Sequence, residues 1–95
     1  ELSPRSAPLW LGRARAAAEL GEWAAVEADA AQAITHEPQN YEGWRTRAEA
    51  RLELGDLAAA ERDMERALDL ARTDEETVAV LLIRGHINEA RRTGG

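Results

Sequence analysis

The sequence predicts an all-α fold built from stacked antiparallel helical hairpins, and three observations support this prediction. Residues 7–40 and 41–74 align without a gap, and 12 of the 34 aligned pairs are identical. Alanine, the residue with the highest helix propensity, is the commonest apolar residue of the chain. Apolar residues recur with a period of about 3.6 within each half of the repeat. A repeat of this length indicates that each hairpin leaves an apolar face that the next hairpin covers.

The first hairpin occupies residues 7–40, after a lead-in of residues 1–6. Ser6 is placed to cap its first helix, and Gly21 ends that helix because glycine adopts the left-handed conformation readily. The second helix stops before Pro38, which cannot continue a helix. These boundaries predict helices near 7–20 and 23–37.

The second hairpin repeats this plan in residues 41–73. Asn40 caps its first helix, Gly55 ends that helix and Asp56 caps the second. We therefore expect helices near 41–54 and 57–72. The apolar stripe of the later helix contains Leu57, Ala60, Met64, Ala67 and Leu68.

Residues 74–92 form an incomplete third unit, for which two interpretations remain open. In the first, Thr73 and Glu76 form a capping box, a short helix ends near Gly85, and another short helix follows. In the second, 74–92 is one continuous capping helix that includes Gly85, which costs about 1 kcal/mol relative to alanine. We favour the short hairpin, and we expect residues 93–95 to be a frayed tail.

Several short motifs recur at matching places in both hairpins. They are a tryptophan in the first turn, a Leu–Gly pair at the helix join, a run of small residues in the second helix and an Ala–Ile or Ala–Leu pair near its end. In the first hairpin these motifs are Trp10, Leu20–Gly21, Ala24–Ala25–Val26 and Ala33–Ile34, and Pro38 follows them. In the second hairpin they are Trp44, Leu54–Gly55, Ala58–Ala59–Ala60 and Ala67–Leu68. The period and these motifs resemble the tetratricopeptide repeat (TPR) family. The resemblance implies a right-handed superhelical solenoid, although Arg13 and Arg47 stand where the family has leucine.

In TPR stacks the first helix of each unit lines a concave groove that binds extended peptides or partner helices. The resemblance therefore implies a non-catalytic protein–protein interaction module, whose partner is another protein or a peptide. The two groove arginines either bind partner carboxylates or pair with glutamates of the same surface. The groove residues that the resemblance implies are Leu11, Arg15, Ala18, Glu19, Glu42, Arg45, Glu49, Leu52 and Glu53.

The alternative function is a structural spacer or oligomerisation segment within a longer repeat protein. Val78, Leu81 and Leu82 are enough to cover the preceding hairpin, so we expect the other apolar residues of the third unit to point away from it. Such a face supports association, including a homodimer through the C-terminal segment. The opposite expectation is that the third hairpin folds back and buries them. These residues are Val80, Ile83 and Ile87.

Composition argues against several other classes of function. The net charge of −6 disfavours nucleic-acid binding. The chain has no cysteine, and His86 lies near a single carboxylate, that of Glu89, whereas zinc needs three or four ligands. We therefore expect no catalytic residue, no metal and no cofactor.

The lengths of the apolar runs bear on whether the chain is expected in a membrane. None of them approaches the ~20 residues of a membrane span. We expect a cytoplasmic protein, and a fragment or processed product because the first residue is Glu1 rather than methionine.

Overall fold

The computed structural model describes residues 7–94, and over those residues the chain forms five α-helices and no strand. The all-α prediction is therefore confirmed. The predicted lead-in with its cap Ser6, and Gly95, lie outside the described residues. None of the described helices combines the length and apolar character needed to cross a membrane. The helices are α1 (Ala7–Glu19), α2 (Trp23–His36), α3 (Tyr41–Glu53), α4 (Leu57–Leu70) and α5 (Asp74–Gly94).

The helices pair in chain order, α1 with α2 and α3 with α4, to give two helical hairpins. Helix α2 also packs on α3, and α4 packs on α5, so each hairpin lies against the next element. Helix α3 contacts both α1 and α5, whereas α2 and α4 do not contact each other. The described chain is elongated, with extents of 47 × 29 × 18 Å.

The two hairpins have the same join. Gly21 and Gly55 have φ values of 74° and 88°, a conformation that residues with a Cβ rarely adopt. Around Gly21, Glu22 N–H donates to Ala17 O at 2.9 Å and Gly21 N–H donates to Ala18 O at 3.0 Å, which is the Schellman pattern. The corresponding bonds recur around Gly55.

Side-chain caps fix the starts of α3 and α4 as expected. Asn40 Oδ1 accepts from Glu42 N–H at 3.0 Å, and Asp56 Oδ1 accepts from Ala59 N–H at 3.2 Å. These bonds satisfy donors that have no partner within the helix.

The core consists mostly of small side chains, which lets the helices approach closely. Between α1, α2 and α3 the buried cluster contains Ala14, Ala17, Val26 and Ala50. Gly43 marks a close approach of α3 to α2, because a Cβ there would lie 3.0 Å from Ile34 Cγ1. The larger cluster lies between α3, α4 and α5, and it contains Ala48, Ala60, Met64, Ala67, Val80, Ile83 and Ile87.

Helix α5 is continuous, so the favoured interpretation of the third unit as a short hairpin is wrong. The alternative interpretation, one continuous helix, agrees with the structure. The predicted capping box is present in part. Glu76 N–H donates to Thr73 Oγ1 at 3.1 Å, but Glu76 Oε1 accepts from the N–H of Arg72, at 2.7 Å, instead of that of the cap residue Thr73. Gly85 lies within the helix. The helix also extends through Thr93 to Gly94, two residues beyond the predicted segment 74–92.

The apolar faces of α5 are the reverse of the expected ones. Val80, Ile83 and Ile87 are 0%, 5% and 1% exposed, so the expectation that they point away from the preceding hairpin is wrong. Val78 and Leu82 are instead 56% and 60% exposed. The physical reason is spacing: positions i, i+3 and i+7 share one helix face, and α5 turns that face onto the core cluster between α3 and α4.

Replacing Gly85 with alanine should raise the free energy of unfolding by about 0.5–1 kcal/mol. A Cβ at this position meets no atom within 4 Å, and alanine has the higher helix propensity. Urea denaturation followed by circular dichroism measures the change. A destabilised variant would instead indicate a helix break at Gly85, as in the short hairpin.

Candidate partner-binding surface

Two clefts lie on the side of the molecule formed by α1, α3 and α5. The first cleft separates α1 from α3 and has a volume of about 180 Å³. Leu11, Ala14 and Val26 contribute apolar side chains that are buried. The charged side chains of this first cleft are Arg15, Glu42, Arg45 and Glu49, and Ala18 and Thr46 complete its lining.

The second cleft separates α3 from α5 and has a volume of about 240 Å³. Arg45 and Glu49 line both clefts, so the two clefts adjoin along α3. The other lining residues are Leu52, Glu53, Ala79, Leu82, Ile83 and His86. A more open extension follows at the last turns of α3 and α5, lined by Leu52, Glu53, His86, Glu89, Ala90 and Thr93.

Most of the groove residues that the resemblance implied line these clefts. Leu11 and Arg15 lie in the first cleft, and Leu52 and Glu53 lie in the second. Glu42 lies in the first cleft, while Arg45 and Glu49 are shared. Glu19 is exposed near the end of α1 and lines neither cleft.

The two arginines of the surface differ in their partners. Arg15 Nη2 lies 3.7 Å from Glu42 Oε2, a loose ion pair between an exposed arginine and a half-buried glutamate. Arg45 Nε is buried and has no hydrogen-bond partner within residues 7–94. A buried donor without an acceptor is unfavourable, so Arg45 carries an unsatisfied donor beneath the place where the two clefts meet.

A buried ionic network fixes α3 behind the clefts. Asp63 of α4 is 3% exposed and accepts two parallel bonds from Arg47, at 2.9 Å from Nε and 3.0 Å from Nη2. Arg51 Nη1 donates to the same carboxylate at 2.9 Å. Two-point pairing fixes orientation as well as distance, so the rotation of α3 about its axis is set here.

Arg51 also links the two hairpins. Its Nε donates to Glu27 Oε2 of α2 at 2.8 Å, so one side chain binds carboxylates from α2 and α4. The hydrogen bond to Glu27 raises the pKa of the Arg51 guanidinium above its ordinary value, and burial opposes the rise. Because Arg51 binds carboxylates of both α2 and α4, it holds the two hairpins in a fixed relation.

The network explains the arginines that depart from the TPR pattern. Arg13 and Asp29 occupy the repeat positions of Arg47 and Asp63, and they form the same pair at a longer distance of 3.8 Å. Ala17 stands where the second hairpin has Arg51, so the first hairpin lacks the third member. The departure therefore provides a pairing partner for a buried aspartate in each hairpin.

The repeated tryptophans lie beside these arginines. The Arg13 guanidinium lies 5.2 Å from the Trp10 ring centroid, and that of Arg47 lies 5.1 Å from Trp44. Trp44 is half-buried at the edge of the core, and its Nε1 donates to Pro38 O at 2.9 Å. Its role is to secure the start of α3 against the preceding loop, with a cation–π contact on its ring.

A further ion pair between elements joins α4 to α5. Arg91 Nη2 of α5 lies 2.8 Å from Glu61 Oε1 of α4. Glu61 occupies the repeat position of Glu27, so the same glutamate binds an arginine of the following helix in both hairpins. The hydrogen bond and charge of Arg91 lower the pKa of the Glu61 carboxyl, so this pair weakens as the pH falls toward the range where Glu61 is protonated.

Ile83 was predicted only as part of an apolar association face, and the side chains that α5 contributes to the second cleft were not predicted as groove residues. They are Ala79, Leu82, Ile83 and His86. The caps contained a clue to them: Asn40 and Thr73 are 33 residues apart, whereas the two hairpins repeat every 34. One residue fewer rotates the helix faces by about 100°, which places Leu82 rather than Ile83 at the repeat position of Glu49.

Within residues 7–94, no group of three or more His, Cys, Asp or Glu side chains is arranged to hold a metal ion. In comparisons with known proteins, no protein-family model and no curated sequence matches the chain.

Proposed function

We propose that the chain is a non-catalytic TPR-type protein–protein interaction module that binds a peptide or partner helix across the two clefts. The observation that carries the proposal is that the clefts adjoin along α3, at Arg45 and Glu49. Together they offer apolar floors with charged rims on one side of the molecule. Such a surface suits an extended or helical ligand better than a small molecule.

The packing supports a superhelical arrangement of the TPR kind. Helix α3 contacts α1 and α5, whereas α2 and α4 are separated. A stack that is closer on one side curves toward that side, which would make the surface of α1, α3 and α5 concave. The ionic network from Glu27 to Asp63 would hold this curvature, because it joins α2, α3 and α4.

A structural spacer or oligomerisation segment is the second candidate. The observation that favours it is the exposure of Val78 and Leu82 on α5, the last helix of the stack. Exposed apolar side chains at the end of a repeat stack suit contact with another repeat or a second copy. Sedimentation equilibrium separates the candidates, because this role predicts a dimer that Leu82→Glu dissociates.

The interaction module predicts that the purified chain selects ligands from a random twelve-residue peptide library displayed on phage. Binding of the synthesised peptides is measured by fluorescence anisotropy. The double variant Arg15→Glu with Glu53→Arg should weaken binding about tenfold, because both side chains are exposed at the clefts and both charges are reversed.

The matched control is Arg62→Glu with Glu65→Arg on α4. Both residues are exposed, and the exchange alters composition and net charge in the same way. This control should bind as the unaltered chain does. A library that yields no binding peptide, or equal loss in both double variants, would reject the proposed binding surface.

A further inference from the structure

We infer that the second cleft and its extension select a basic–apolar segment: a large apolar side chain enters between α3 and α5, and a neighbouring lysine or arginine faces Glu53 and Glu89. This inference rests on the proposed function and assigns the partner's chemistry at one part of the surface.

The apolar part of the cleft is formed by both helices. Leu52 of α3 is half-buried, and Ile83 of α5 is 5% exposed, so together they close the bottom of the cleft. Leu82 lines the same cleft but remains 60% exposed. A partner side chain that contacts Leu82 and Leu52 removes apolar surface from water on both molecules, which is the main favourable term in association.

Charge gives the second part of the recognition. Glu49, Glu53 and Glu89 line the second cleft and its extension. None of these three carboxylates forms an ion pair with an arginine or histidine over the described part of the chain. Arg45 is the arginine of this cleft, and it lies at the opposite end, where the first cleft begins, whereas His86 lines the extension together with Glu53 and Glu89.

The end of α3 adds to the negative potential. The extension is lined by the last turn of α3, which ends at Glu53, and by residues of α5, whose last turn carries Arg91 and Arg92. The C-terminal end of a helix carries partial negative charge. A cationic partner group is therefore attracted to the region of Glu53 and Glu89.

The test uses the peptides selected on the full chain. Their sequences should be enriched in leucine, isoleucine or phenylalanine with a lysine or arginine within four positions. Leu82→Ser should weaken binding about tenfold, and Glu53→Gln with Glu89→Gln should weaken it about fivefold and reduce its dependence on salt.

Matched controls separate these effects from general ones. Leu20→Ser removes a leucine that is 74% exposed, and Glu65→Gln with Glu75→Gln removes two exposed carboxylates from α4 and α5. Both controls should leave affinity unchanged.

Selected peptides that lack the basic–apolar pattern, or that bind Leu82→Ser normally while losing affinity to Arg15→Glu with Glu53→Arg, would overturn this inference and leave the interaction module standing. Failure to select any peptide would remove the proposed function itself.

Discussion

Replacing Asp63 with alanine should lower the free energy of unfolding by about 3 kcal/mol. Three hydrogen bonds join the Asp63 carboxylate to Arg47 and Arg51, whose side chains are 18% and 23% exposed. The substitution removes this carboxylate from both arginines. Removing one partner of a buried ion pair is strongly destabilising because the remaining charge stays desolvated. Urea denaturation monitored by circular dichroism measures the loss.

Two other aspartates provide the comparison. Asp69 is exposed on the same helix, and Asp69→Ala should change the free energy of unfolding by less than about 0.5 kcal/mol. Asp29 is the repeat equivalent, but its arginine lies 3.8 Å away and is 61% exposed, so Asp29→Ala should lose only about 1 kcal/mol. Equal losses at Asp29 and Asp63 would show that the second arginine contributes nothing.

Replacing Ile87 with alanine should lower the free energy of unfolding by about 3 kcal/mol. Ile87 is 1% exposed and packs in the cluster with Met64 and Ala60, so truncation leaves a cavity as well as lost apolar burial. The same denaturation experiment measures the change, with Gly85→Ala as a stabilised variant of the same helix.

Leu82→Ala is the control for this prediction. Leu82 lies on α5 but is 60% exposed, so its truncation should change the free energy of unfolding by less than about 0.5 kcal/mol. The opposite ranking, with Leu82 the more important residue, would mean that α5 turns its other face to the core.

The hairpin boundaries were predictable because local rules determine them. The predicted ends of the first four helices differ from the observed ends by at most two residues. Gly21, Gly55, Asn40 and Asp56 act within their own turns, through left-handed backbone or a capping hydrogen bond. Such interactions need no knowledge of the rest of the chain.

The candidate surface was predictable on α1 and α3 and not on α5. Helices α1 and α3 repeat at 34 residues, so matching positions face the same way. Helix α5 begins 33 residues after α3, and the difference of one residue turned the expected face by about 100°. Val80, Ile83 and Ile87 were assigned to the surface because Val78, Leu81 and Leu82 form an apolar stripe sufficient to cover the preceding hairpin, yet Val80, Ile83 and Ile87 pack in the core.

By itself, the sequence determined the all-α class, the hairpin period and the four joins and caps, because each depends on neighbours a few residues away. Only the tertiary structure decided the rotation of α5 and the partners of Arg47 and Arg51. Those depend on how a helix fits the side chains already packed beneath it. Both faces of α5 are apolar enough to be buried. The face with Val80, Ile83 and Ile87 packs around Met64, and Leu82 of the other face therefore lies at the second cleft.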